Sequence, residues 1–201
     1  LHAGHFINTL QEYEKWTVPA FDLTISTTQI TPNIIFNANK LTVNLGSQFS
    51  VLDNKNNQYL RLVPDASSLN IGPYFTLDYE KNNFGFNSGI RYDYKNLKSE
   101  DIISNINYDK EFSNTSFSTG LFYKMKDNIF RLTYSGAYRA PHFSELFSDG
   151  VHHGTNRYEL GNENLDIEYA NQFEFKYQWS NEHFGFVLNP FLQNISMDLL
   201  I

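Results

Sequence analysis

The chain of 201 residues contains no cysteine. Disulfide frameworks, zinc thiolate sites and thiol nucleophiles are therefore excluded. Positive charge is also scarce, because 15 lysines and arginines stand against 22 aspartates and glutamates and leave a net charge of −7. A nucleic-acid binder normally presents a basic face, so no nucleic-acid partner is expected.

Long apolar runs are missing as well. No segment approaches the roughly 18 consecutive apolar residues of a membrane helix, and the mean hydropathy is −0.44. This test does not exclude a transmembrane β-barrel, because only alternate residues of its strands face lipid. The sequence shows neither an initiator methionine nor a signal peptide, so we expect a fragment of a longer protein.

Aromatic residues are abundant, since 18 phenylalanines and 13 tyrosines bring the aromatic fraction to 16%. This excess suits strands and membrane-interface belts better than helices. Many of these residues alternate with polar ones, which predicts strands with one apolar face. In Ile129–Arg139 and Asn171–Trp179 the residues predicted to face lipid are Phe130, Leu132, Tyr134, Phe173, Phe175 and Tyr177.

The same alternation recurs along most of the chain and predicts about eight strands. The other clearly alternating segments are Leu41–Val51, Leu69–Tyr79, Phe84–Tyr94, Thr115–Lys124 and His183–Gln193. The first strand, about Phe21 to Asn37, is less regular, because its apolar residues change from odd to even positions. We therefore expect its register to slip through a bulge near Thr28–Pro32, where the proline removes a ladder donor.

The connections between these segments alternate between short and long. Short connections are expected near Asn39–Lys40, Lys81–Asn83, Met125–Asn128 and Ser180–Glu182. Long connections are expected at Asp53–Ser68, Lys98–Ser113 and Ala140–Tyr169. Outer-membrane barrels have short periplasmic turns and long external loops. The sequence therefore predicts an all-β protein, an antiparallel up-and-down transmembrane β-barrel.

The segment Ala140–Tyr169 is the predicted functional loop, because it is far longer than the roughly 2–5 residues of an ordinary hairpin loop. The candidate ligand-binding residues in or beside it are Arg139, His142, Glu145, His152, His153 and Arg157. Imidazole and carboxylate groups together can bind a transition metal. Adjacent His152 and His153 point to opposite faces of an extended chain, however, so the sequence assigns no metal to them.

The positions of proline and glycine predict local structure within the loop. Pro141 predicts a short helix with an apolar face, formed by Phe143, Leu146 and Phe147. Asp149–Gly150 and Gly161–Asn162 predict turns.

The two arginines of this region, Arg139 and Arg157, have two interpretations. Their planar donors suit carboxylate or hydroxamate oxygens of a ligand. The interpretation we favour is an ion pair in a polar lumen with Glu145, Glu159 or Glu174.

The run from Tyr134 to Trp179 resembles the late-barrel signature of TonB-dependent outer-membrane receptors. In that signature a strand ends in an aromatic-Arg-Ala-Pro, here Tyr138–Pro141. A short E-L-[FY] helix follows, here Glu145–Phe147, and then Gly-Asn-x-x-Leu-x-x-Glu, here Gly161–Glu168. Gly89–Asp93, which reads G-x-R-Y-D, is also similar to the family. The style of the sequence resembles receptors of the Bacteroidetes.

The resemblance implies a 22-stranded barrel in the outer membrane of a Gram-negative bacterium, with an N-terminal plug domain. Residues 1–201 would form an interior part of the C-terminal half of that barrel, and the plug domain is absent from them. The family imports metal chelates such as siderophores or haem, metal ions and similar nutrients. The implied partners are outer-membrane lipid, the nutrient, and the TonB complex acting through the missing plug. No cofactor is expected.

Two other functions remain open on the sequence alone. One is a small complete outer-membrane barrel or an outer-membrane enzyme. The sequence has no G-x-S-x-G, no H-E-x-x-H and no phosphate-binding glycine loop, so we expect no enzyme. The other is a soluble β-sandwich binding module, in which the aromatic face would be buried against a second sheet.

Overall fold

A computed structural model gives the fold and describes residues 1–13, 17, 19, 21–58, 62–101, 105–152 and 157–196. Nearly all of the described secondary structure is antiparallel strand. The elements are β1 (His2–Glu12), β2 (Phe21–Thr31), β3 (Asn33–Ala38), β4 (Leu41–Asn56), β5 (Ala66–Lys81), β6 (Phe84–Asp101), β7 (Ile106–Met125), β8 (Asn128–Arg139), α1 (Phe143–Phe147), β9 (Asp149–His152), β10 (Arg157–Leu160), β11 (Glu168–Ser180), β12 (Gly185–Leu188) and β13 (Phe191–Ser196). No described helix is long and apolar enough to cross a membrane.

The strands form one meandering sheet in the order β1-β2-β4-β5-β6-β7-β8-β11-β12. Strands β2 and β3 both pair with β4, and β12 and β13 both pair with β11. The strands β2 and β3 therefore occupy one position in the sheet, as do β12 and β13, and we count each such position as one crossing. The described part of the sheet makes nine crossings, where the sequence predicted about eight, and it does not close into a barrel. The small hairpin β9–β10 forms a separate sheet within the loop after β8.

The additional crossing is β1, which sequence analysis did not predict. It pairs with β2 along its whole length, from His2↔Thr31 to Glu12↔Phe21. Phe6 and Ile7 are adjacent apolar residues in it, so this strand has no clean period-2 pattern to read.

The predicted register slip near Thr28–Pro32 is wrong. Ile30 pairs with Phe49 before the proline and Ile34 pairs with Leu45 after it, so four steps on one strand match four on the other. The apolar residues change parity for another reason. Leu23 lies on the opposite face from Ile30 and is buried near the long loops, where that face also carries apolar packing.

The four short connections occur where they were predicted. Two-residue turns join β3 to β4, β5 to β6 and β7 to β8, and residues 181–184 join β11 to β12. Asn39, Asn82 and Lys126 take positive φ in these turns, at 49°, 54° and 50°. Tight hairpins need this backbone conformation, and asparagine tolerates it well.

The predicted long loop at Lys98–Ser113 is wrong, because β6 and β7 continue to pair as far as Asp101↔Ile106. The aromatic alternation stops there, and polar pairs such as Lys98 with Asp109 replace it, with an ion-pair distance of 2.8 Å. Strand β8 does not follow this extension. Its ladder with β7 ends at Phe117↔Gly136, so residues 106–116 of β7 pair with β6 alone within the described chain.

The aromatic residues share one face of the sheet, which we call the outer face. Direct partners across β8 and β11 are Tyr134↔Phe173, Leu132↔Phe175 and Phe130↔Tyr177. The rings of Phe130 and Tyr177 stack with centroids 5.1 Å apart. These side chains are partly exposed, and no second sheet packs on them in the described residues. The arrangement contradicts a soluble sandwich, in which they would be buried.

The opposite face, which we call the inner face, carries an apolar cluster close to the long loops. It consists of Val63, Ala66, Leu97, Phe112, Phe143, Leu146 and Phe147. Leu97 and Phe112 belong to β6 and β7, whereas the last three residues belong to α1. The loop after β8 therefore folds inward onto the sheet, where apolar burial holds it.

Candidate functional site

The loop between β8 and β11 is built around α1, whose apolar side faces the inner face of the sheet. Phe143, Leu146 and Phe147 are buried, as the sequence predicted for one face of this helix. The Phe147 ring contacts the Tyr108 ring edge-on, with centroids 4.6 Å apart. Burying each such side chain contributes about 1.5–3 kcal/mol, which offsets the entropy of ordering a long loop.

Arg139 lies at the end of β8 and binds two carboxylates. Its Nε and Nη2 donate to Oε2 and Oε1 of Glu168 at 2.9 and 2.8 Å, and its Nη1 donates to Oε2 of Glu145 at 2.7 Å. The favoured ion pair with Glu145 is confirmed, whereas Glu159 and Glu174 make no described contact with Arg139. Sequence analysis did not predict Glu168 as a partner of Arg139, although it lies directly opposite Arg139 in the β8–β11 ladder.

His142 is the N-cap of α1. Its Nδ1 accepts a hydrogen bond from the Ser144 amide at 3.4 Å, and its own amide donates to Glu145 Oε2 at 2.8 Å. Burial, and then the ammonium of Lys95, lowers the pKa of His142. Hydrogen bonding to Arg139 lowers the pKa of Glu145. A neutral imidazole and an ionised carboxylate are therefore the forms that cap this helix.

The segment Gly161–Asn162 returns the chain to α1. The Gly161 amide donates to Ser148 O at 2.6 Å, and the Asn162 amide donates to Glu145 O at 2.9 Å. A Cβ on Gly161 would lie 2.5 Å from backbone atoms of Leu146, so only glycine fits here. The predicted turn lies slightly later, since Leu165 N donates to Asn162 O.

The other predicted turn, Asp149–Gly150, is wrong. These residues begin β9 and pair with Leu160 and Glu159 of β10. The dipeptide favours a turn locally, but the strand pairing overrides that preference.

The candidate ligand residues fall into two groups. Arg139, His142 and Glu145 meet at the base of the loop. His152 and Arg157 are direct partners in the β9–β10 hairpin, where Arg157 is exposed. His153 lies outside the described residues. Among the residues that the structure describes, no three histidine or carboxylate side chains are placed to hold a metal ion.

A polar cavity of about 310 Å³ lies on the inner face beside the loop base. Asn70, Arg91, Asp93, Lys95, Ser116 and Tyr138 contribute to its lining. Arg91 Nη2 and Asp93 Oδ1 are 2.6 Å apart, and the pair lies across Gly72, where a Cβ would be only 2.1 Å from Arg91 Nη2. Sequence analysis did not include these residues in the site, although the Gly89–Asp93 motif was the signal that could have identified them.

Two lysines on the sheet tie the loop backbone to the inner face. Lys95 Nζ donates to Pro141 O at 3.2 Å, where the loop begins. Lys110 Nζ donates to Leu165 O at 3.0 Å, where it ends. A lysine of the sheet therefore holds the loop at each of its two ends.

The fold resembles several solved structures. It matches the FrpB iron transporter from Neisseria meningitidis (F3-3 variant) with a TM-score of 0.68 and 17% identity, over 88% of this chain and 29% of that one. It matches the copper transporter OprC with a TM-score of 0.73 and 14% identity, over 87% and 30% of the two chains. A double mutant of the Serratia marcescens hemophore receptor HasR, in complex with its hemophore HasA and heme, gives a TM-score of 0.65 and 14% identity, over 89% and 34%.

The chain thus spans about a third of the length of these structures. At such low identity they establish the fold alone. No curated protein sequence matches the chain.

Family membership follows from a direct sequence comparison. The family model described as TonB dependent receptor-like, beta-barrel, matches residues 5–196. The predicted fold class is thereby confirmed, as is the outer membrane of a Gram-negative bacterium as its location. The resemblance to receptors of the Bacteroidetes stays a prediction. The chain belongs to the β-barrel family of TonB-dependent receptors.

Proposed function

We propose that this chain forms one sector of an outer-membrane transporter that imports a metal chelate, such as a siderophore or haem, a metal ion, or a similar nutrient. The observation that carries the proposal is the family match over residues 5–196. The names of the similar structures support it, since they are an iron transporter, a copper transporter and a hemophore receptor.

The loop after β8 and the inner polar cavity would supply part of the capture surface. The cavity brings a guanidinium, an ammonium, a phenol and a hydroxyl together, from Arg91, Lys95, Tyr138 and Ser116. Asp93 already binds Arg91, so the ammonium, the phenol and the hydroxyl are the donors that suit the oxygens of a chelate. The hairpin β9–β10 adds Arg157 and His152, and His153 follows it in the sequence. We keep these three as proposed ligand contacts. Arg157 is exposed and makes no described hydrogen bond or ion pair.

The proposed transport also requires a plug domain, which we expect in the full-length protein outside these 201 residues. A plug domain would fill the lumen and connect the bound nutrient to the TonB complex. The outer face would contact lipid through Phe130, Leu132, Tyr134, Phe173, Phe175 and Tyr177, which are already assembled on one side of the sheet.

The test is uptake by cells that carry the full-length receptor. Iron-siderophore, haem and copper are offered separately under limitation, and uptake is compared with that of a deletion strain. Arg157→Ala and the double substitution of His152 and His153 by alanine should weaken uptake of the true substrate. Lys40→Ala, in a short turn at the other end of the sheet, should leave uptake unchanged. Recovery of the receptor outside the outer membrane, or uptake equal to the deletion strain for every nutrient, would overturn the proposal.

A further inference from the structure

The three parts of the loop signature meet in space although they are far apart in sequence. Arg139 ends β8, Glu145 lies in α1, and Glu168 begins β11, 29 positions after the arginine. One guanidinium joins all three through bonds of 2.7 to 2.9 Å. Gly161 and Asn162 complete the arrangement by donating their amides to α1 and the residue after it.

We propose that Arg139 and Glu168 are positioning residues that, with Glu145, clamp the capture loop in its folded place against the inner face. This inference rests on the proposed function, because it concerns the loop that would contact the nutrient. It removes Arg139 and Glu145 from the set of direct ligand contacts. The clamp presets the positions of the β9–β10 hairpin and of Ala140, where the loop borders the polar cavity, so the nutrient meets a loop that is already folded.

The electrostatics favour a clamp over an anion site. Two carboxylates face one guanidinium, and Nε, Nη1 and Nη2 each donate to one of them. An anionic ligand would have to displace either Glu168, which is bound in bidentate geometry, or Glu145, which also accepts a hydrogen bond from the His142 amide.

The apolar cluster and the clamp have different roles. Leu146 and its neighbours attach α1 to the inner face. The Arg139 side chain, in contrast, is about half exposed, and an exposed ion pair adds little stability by itself. What the clamp fixes is the spacing between the end of β8, α1 and the start of β11. A loop of this length has many other ways to close, and three shared bonds select one.

The experiment uses the full-length receptor in detergent or vesicles, without ligand. Hydrogen exchange is followed in the segments 142–148 and 161–167. Arg139→Ala and Glu168→Gln should each raise exchange there by about two- to fivefold, because bonds to a half-exposed guanidinium are lost. The double variant, Arg139→Ala with Glu168→Gln, should raise exchange no further than Arg139→Ala alone, because both substitutions remove the same bonds. Lys124→Ala breaks an exposed ion pair with Glu80 near the short turns and should leave both segments unchanged.

Leu146→Ala is the comparison that identifies which interaction holds the loop. If it raises exchange while Arg139→Ala does not, the apolar cluster alone positions the loop and the clamp is refuted. If the effects of Arg139→Ala and Glu168→Gln multiply in the double variant, the two residues act independently and the pairing is refuted.

Uptake measurements separate the clamp from the function on which it rests. Loss of the clamp should raise the half-saturation concentration for the nutrient and change the maximal rate less. Unchanged uptake despite faster exchange would refute the role in capture. If the wild-type receptor imports none of the nutrients, the proposed function fails, whereas the exchange results still decide whether the clamp exists.

Discussion

The assignment of the outer face to lipid can be tested by placing one charge on it, with Phe175→Arg. Phe175 lies on β11, which has 13 residues. At about 3.4 Å per residue, and with a tilt of about 45°, such a strand rises roughly 29 Å along the membrane normal. The apolar band of an outer-membrane barrel is about 25 Å tall, so one crossing of β11 is long enough to span it.

Phe175 lies near the middle of that band. It is five residues before Ser180, where the strand ends, and this corresponds to a height of about 12 Å. Leu132 is its direct partner on β8, so apolar side chains surround it. An arginine near the bilayer midplane of a barrel costs about 2–4 kcal/mol.

The measurement is the folded fraction of the full-length receptor in vesicles along a urea titration. Gln172→Arg is the matched control, because it places the same charge on the inner face of the same strand, two residues from Glu174. Phe175→Arg should shift the midpoint to lower urea, and Gln172→Arg should shift it little. Equal midpoints for the two variants would show that the outer face does not contact lipid.

Three further predictions concern the loop. Gly161→Ala should loosen the loop by about 1–3 kcal/mol, because its Cβ meets backbone atoms of Leu146 and Phe147; faster hydrogen exchange in α1 measures this. Leu146→Ala should leave a cavity and lower the free energy of loop opening by about 2–5 kcal/mol. The same exchange measurement tests it, and exchange equal to that of the wild type would show that α1 does not pack on the sheet. The pKa of His142 is lowered, so its cap stabilises α1 fully above a pH of about 6.5 and is lost as pH falls through the lowered pKa. His142→Asn, an uncharged cap, should abolish this pH dependence of exchange relative to the wild type.

Sequence analysis predicted the membrane-spanning part of the sheet well, because one physical rule controls it. Successive side chains of a barrel strand face lipid and lumen in turn, so apolar and polar residues alternate with a period of two. It identified the face shared by Phe130 and Tyr177 and the asparagine turns at Asn39 and Asn82. The rule fails where the chain leaves the bilayer. Above the aromatic segment the outer face of β6 and β7 is polar, as at Lys98 and Asp109, and only isolated apolar residues such as Leu97 lie on the inner face. The pairing of these two segments could therefore not be distinguished from a loop.

The loop was predicted in part for a similar reason. The apolar face of α1 is local information and could be read from Phe143, Leu146 and Phe147. The partner of Arg139 is not local, because it depends on the register between β8 and β11. Only that register places Glu168 opposite the arginine. The sequence marked His142 as a possible ligand, whereas the structure shows it as the N-cap of α1. Its position directly before Phe143, the first helical residue, is also consistent with a cap.

The unequal lengths of β7 and β8 leave part of one edge of β7 outside any described ladder. A closed barrel is expected to have no free strand edges, but residues 106–116 of β7 extend past the end of the β7–β8 ladder. Backbone groups on that side can pair with a strand from another molecule. The segment carries Asp109, Lys110 and Glu111 in succession, and charged edges discourage such pairing. These charges therefore oppose edge-to-edge pairing of this hairpin with a second copy of the chain.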